Sequence, residues 1–187
     1  MLWIIDDKIK SGFSELDRQS DRAIAIVGGS YLEHHLTEAI KSRLHVEGDG
    51  HKRNITRIFD LDGPMGSFGF KIRVAYALGV FGHEAFTELE AIQKIRNLFA
   101  HKLTINSFDD DEIKSKSLNL RIISLYVGKT INEIWSEYVP DDFNQIAYAE
   151  LPKSPKDKYL NTCQLLSFLL YKESAQLSAP TLNIPNF

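Results

Sequence analysis

The segment AIQKIRNLFAHK, residues 91–102, brings an arginine, an amide and an imidazole within six positions of one another: Arg96, Asn97 and His101. A guanidinium grips a carboxylate or a phosphate through paired N–H donors. An amide orients a neighbour, and an imidazole is the side chain suited to moving protons near neutral pH. Together they could act on a phosphodiester, or they could close a polar network between helices.

Helical geometry sharpens that choice. At about 100° per residue, Ile92, Ile95, Phe99 and Leu103 share one stripe, and Arg96 lies within about 60° of its centre. Asn97 and His101 are i,i+4 neighbours on the other flank, so Arg96 and His101 stand about 140° apart and do not stack. A cation on a semi-buried stripe demands a carboxylate, a carbonyl or a wet cleft. Ala100, between the flanks, is small enough to let something approach. Lys71 is in the same position on the preceding helix, beside Phe68, Ile72 and Ala75. Asp60 and Asp62 are the nearest acids in sequence, and the long early helix offers Glu33 and Glu38. The spacing therefore predicts a charged network of Lys71, Arg96, Asp60, Asp62 and Glu33 tying a loop to the bundle. The alternative is an anion site at the helix start formed by Gly66, Ser67 and Lys71. A phosphate-binding loop is excluded, because the G-x-x-x-x-G-K-[ST] spacing is absent. His34, His35 and Glu38 supply an incomplete metal set on one helix, so neither metal nor cofactor is expected.

The elements that must position these residues read as helical almost throughout. A short helix is predicted over 2–17 and a long one over 20–44, with Gly28 and Gly29 in its middle. Each glycine costs up to about 1 kcal/mol there, with close approach of another helix as the return. Residues 45–66 read as a polar, glycine-rich connection. A helix follows over 67–78, capped by Ser67 and stopped by Gly79. The next is expected to start at Thr87, where Thr87 and Glu90 form a capping box, and to run to Lys102. The acidic run Asp109–Glu112 reads as a solvated helix start. Residues 113–138, apolar on two stripes, are predicted as one central helix, bent or broken near Gly128. Ser154, Pro155 and Asp157 open a strongly buried last helix.

The 187 residues carry a net charge of −3 and 43% hydrophobic side chains. That is enough for one cored domain, assigned to 1–173 with helix 2–17 and core 18–172, and a loose tail over 174–187. A domain that grips DNA by itself is usually basic, and this chain is not. Its single cysteine, Cys163, excludes an internal disulfide and suggests a buried thiol in a reducing compartment. No apolar run approaches a membrane span and the start does not resemble a signal peptide, so a cytoplasmic protein is expected.

Two resemblances refine this. Arg96-Asn97-x-x-Ala100-His101 resembles the R-x4-6-H motif of HEPN domains, which are all-α and include metal-independent endoribonucleases that work as dimers. That resemblance implies RNA as substrate, His101 as proton carrier, Arg96 on the scissile phosphate and Asn97 as the orienting group. The second covers roughly residues 18–172. Gly63, Pro64, Gly66, Ser67, Phe68, Lys71, Ile72, Ala75, Tyr76, Ala77, Leu78 and Gly79, followed by Ile95, Arg96, Asn97, Phe99, Ala100 and His101, resemble the mannitol operon repressor family. Met65 replaces that family's leucine. This resemblance implies an all-α, HEPN-like, multi-helix single domain and a dimeric transcriptional regulator without a DNA-reading motif, acting through a protein partner. The first alternative explains six residues and the second most of the chain, so a regulatory interaction module is the expected function, with no membrane partner.

Overall fold

The computed structural model describes residues 15, 16, 18–44, 46–130 and 150–176. Most of the predicted helix over 2–17, residues 131–138 of the predicted central helix and most of the tail lie outside the described residues, although helix continues to Gln176. Among the described residues six α-helices follow in order: α1 Asp21–Lys41, α2 Gly48–Phe59, α3 Phe68–Ala77, α4 His83–His101, α5 Asp111–Leu118 and α6 Pro155–Gln176, with a 3-10 turn at Ile122–Leu125 between the last two. The chain is all-α, and the described residues hold no strand.

Long apolar stripes form the core. Ile24, Leu32, Leu36 and Ile40 of α1 are sealed from solvent against Ile72 of α3, Leu89, Ile92, Ile95 and Phe99 of α4, and Tyr159 and Leu165 of α6. Burying side chains of this size is worth roughly 1.5–3 kcal/mol each, which outweighs the glycines inside α1. The caps match the local chemistry. Ser67 accepts from the Phe70 amide at 3.3 Å, and Ser154 accepts from the Asp157 amide at 3.0 Å. Helix α3 stops before Gly79, whose φ is +66°.

Three boundaries differ from the sequence reading. Residues 48–59 are helix, not connection. Only Ile55, Ile58 and Phe59 of α2 turn toward the body of the protein, too short a stripe to stand out among Gly48, Gly50 and the charges. Helix α4 begins at His83, four residues before the predicted cap, and the Thr87 hydroxyl donates back to the His83 carbonyl at 3.0 Å inside the helix. Finally, 113–138 is not one helix. Helix α5 ends at Leu118 because the Arg121 amide leaves the helical ladder and donates to Glu88 Oε1 at 2.7 Å. Lys158 Nζ then caps the freed Leu118 carbonyl at 2.6 Å.

Candidate functional site: a cation seam, a basic cavity and an aromatic corner

Helices α1, α3 and α4 bring Glu33, Lys71 and Arg96 together. Lys71 Nζ donates to Glu33 Oε1 at 2.8 Å, with side chains 9% and 17% exposed. Arg96 Nη2 lies 3.7 Å from Glu33 Oε2. One carboxylate thus serves two cations, and both of its oxygens are used. Arg96 Nε is buried and has no hydrogen-bond partner among the described residues. Asp60 and Asp62 do not join. They stand exposed in the turn before α3 and make no ion pair among the described residues. The reason is topological: Lys71 faces inward onto α1, while the turn carries its acids outward.

Gly29 makes the seam geometrically available. A Cβ there would fall 3.0 Å from Arg96 Cγ and 3.2 Å from the Tyr159 hydroxyl oxygen. That hydroxyl, fully buried, donates to the Ala25 carbonyl at 2.7 Å. Burial pushes the Tyr159 phenol and the neighbouring Cys163 thiol above their ordinary values, so both are neutral packing groups.

The N-terminus of α3 is otherwise engaged. Ser67 caps it, Lys71 is drawn to Glu33, and Gly66 serves the turn: a Cβ there would lie 2.2 Å from the Leu61 carbonyl oxygen. These three residues therefore do not converge on a common point for an anion.

His101 lies exposed at the end of α4, and Arg96 makes no hydrogen bond to it. Instead, His101 and Asn97 line a shallow cavity of about 360 Å³ between α4 and α5, with Lys94, Leu98, Lys102, Glu112 and Lys116. Asn97 links cavity and seam, its Oδ1 accepting from Arg96 Nη1 at 3.5 Å. Lys102 pairs with Glu112 at 2.9 Å, and that hydrogen bond lowers the Glu112 carboxyl below its ordinary range.

Two features were not anticipated from sequence. Arg22 of α1 reaches the C-terminus of α4, donating to the carbonyls of Phe99, of Lys102 at 3.2 Å and of Ile105 at 2.5 Å. A guanidinium there satisfies orphan carbonyls and opposes the negative end of the helix dipole. Its partners lie some eighty residues away, so no local pattern could announce it. The other feature is an aromatic corner where α3 meets α4. Tyr76 stacks on Phe86 with centroids 4.5 Å apart, and Phe81 and His83 flank the pair. Phe70, Tyr76 and Leu78 are 45%, 40% and 45% exposed. Phe81 also lines a cavity of about 370 Å³, with Ala85, Leu89, Leu125 and Leu169 and the charged Glu84, Lys172 and Glu173. Large apolar residues gathered on a surface mark interaction sites, and aromatic side chains dominate such sites energetically.

The sequence profile of the Mannitol repressor family matches residues 35–163, more than half of the chain. The chain belongs to that family. Among solved structures, a chain in the X-ray structure of the MtlR–HPr complex from Escherichia coli has the same fold, with a TM-score of 0.64 and 15% sequence identity. The match covers 89% of this chain and 99% of that one. No curated protein matches the chain. The family profile spans Lys71 and Arg96 of the seam, the aromatic side chains of the corner and the lining of the basic cavity, and begins after Gly29 and Glu33. Among the described residues no group of three or more His, Cys, Asp or Glu could hold a metal ion, and no helix is long and apolar enough to cross a membrane.

Proposed function

We propose that the chain is a transcriptional regulator of the mannitol-repressor type that acts by binding a protein partner and does not read DNA itself. The observation that carries this is the aromatic corner: Phe70, Tyr76 and Leu78 stand exposed at α3, and Tyr76 stacks on Phe81, which lines a neighbouring cavity, on a chain of net charge −3. Family membership supports a regulatory role, and the complex that contains the structural relative makes HPr the first partner to test. On this reading Glu33, Lys71 and Arg96 are structural: they lock α3 to α1 and α4 and thereby set the angle of the corner. The protein works in the cytoplasm as a homodimer, with no cofactor. The test is co-elution of the purified chain with HPr of the same organism, against a Tyr76→Ala/Leu78→Ser variant. Complex formation by the parent alone is expected, and equal behaviour of the two would refute the corner.

One observation favours a second reading, a HEPN-like endoribonuclease: Asn97 and His101 share their cavity with three lysines. Arg96, turned to Glu33, counts against it within one chain. Metal-independent cleavage of RNA by the parent in EDTA, lost in folded His101→Ala, would establish that reading.

A further inference from the structure

The cavity between α4 and α5 holds more positive charge than its ion pairs use. Three cations, Lys94, Lys102 and Lys116, line it together with His101, and Glu112 is the one acid there. Lys102 holds that acid at 2.9 Å, the charge of Lys116 acts on the same carboxyl from further off, and Lys94 makes no ion pair among the described residues. The whole chain carries −3, so this is a local reversal of sign and not a share of a general excess. Leu98 and the aliphatic stems of the lysines form the apolar floor of this shallow space, which leaves the ammonium groups at its rim in contact with solvent.

Two neighbouring groups prepare the cavity. Asn97 Oδ1 accepts from Arg96 Nη1, so its amide nitrogen, which has no partner among the described residues, is turned away from Arg96 as a donor. Arg96 is itself held by Glu33, and the seam thereby fixes that orientation. The other group is Arg22. The carbonyl end of α4 would repel an anion. The Arg22 guanidinium covers the carbonyls of Phe99, Lys102 and Ile105 and cancels that repulsion.

We propose that this cavity binds a small phosphorylated molecule, its phosphate monoester held by Lys94, Lys116 and the Asn97 amide, with His101 at the rim. Its volume of about 360 Å³ lies at the lower end of small-molecule sites, which span roughly 300–1,000 Å³, and suits a ligand of a few carbons. The cavity shares no lining residue with the aromatic corner, so either site can fail without the other.

The test is a two-dimensional amide NMR titration of the full chain with glycerol 3-phosphate, with glycerol as the unphosphorylated control. Saturable shifts are expected at the backbone amides of 94–102 and 112–116 and at the Asn97 side chain, with none from glycerol. Inorganic phosphate should displace the ligand, and chloride at equal ionic strength should not. Lys94→Gln/Lys116→Gln should weaken binding tenfold or more. Lys52→Gln/Arg53→Gln, which removes as much charge from α2, should leave it unchanged. Shifts that never saturate, equal loss in both variants, or displacement by chloride would overturn the proposal. So would a single-stranded RNA oligonucleotide that binds these residues when glycerol 3-phosphate does not.

Discussion

Helix α2 holds Lys52, Arg53 and Arg57 out in solvent, whereas α4 holds Arg96 against Glu33 beneath the backbone of Gly29. Each of the two helices carries an arginine beside an isoleucine, Arg57 before Ile58 and Arg96 after Ile95. The difference lies in what covers them. No residue of α2 is buried, so its cations keep their water and need no partner. Helix α4 is packed by α1, α3 and α6, so Arg96 loses most of its water and must find a carboxylate. A cation's role is therefore set by the neighbouring helices and not by its own periodicity.

That contrast can be broken most severely at Glu33. Glu33→Ala leaves Lys71 and Arg96 semi-buried without a counter-charge, and should cost about 2–3 kcal/mol in urea unfolding, discounted for the partial exposure of Arg96. A loss under about 0.5 kcal/mol, the range of ordinary surface changes, would show that the seam does not hold the bundle. Next in size is Gly29→Ala. The added methyl crowds Arg96 Cγ at 3.0 Å, so overpacking of about 1–3 kcal/mol should exceed the helix-propensity gain of up to about 1 kcal/mol. A more stable variant would mean that Arg96 shifts freely, contrary to a fixed seam.

Glu88 sharpens the comparison through pH. Its carboxyl is raised above the ordinary value by burial, against the opposing hydrogen bond from the Arg121 amide. The folded chain then binds that proton more tightly than the unfolded chain does. The resulting stabilisation is complete below the unfolded value and is lost as pH rises through the raised folded one. Glu88→Gln should remove this slope, so the stability difference in favour of the variant should grow from pH 4 toward pH 7. A difference that does not change with pH would contradict the burial argument. The smallest effect is expected on α2, where Arg53→Gln/Arg57→Gln should stay within about 0.5 kcal/mol of the parent. A larger loss would show that these arginines have partners after all.

Helices α1, α3, α4 and α6 were legible from their long 3.6-residue stripes; side-chain caps agree at α1, α3 and α6, whereas α4 starts after Gly82 without one and its start was misplaced. Helix α2 was not, since three half-buried apolar residues cannot outweigh glycines in a pattern. The predicted central helix failed for a different reason: Glu88, 33 residues upstream, captures the Arg121 amide and ends α5. The need of Lys71 and Arg96 for an acid was readable from their stripes. Selecting Glu33 over Asp60 and Asp62 required knowing which way the turn before α3 faces. The aromatic corner was hidden for the same reason, because Phe70, Tyr76 and Leu78 look like core candidates until the helices are placed.

The most direct test of the account is calorimetric titration of HPr into three proteins: the parent, Tyr76→Ala/Leu78→Ser and His101→Ala. The account predicts that the parent and His101→Ala bind alike and that the corner variant, still folded, binds at least tenfold more weakly, a loss of about 1.4 kcal/mol or more. Binding that survives in the corner variant but disappears in His101→Ala would contradict it, and would move the interface to the end of α4.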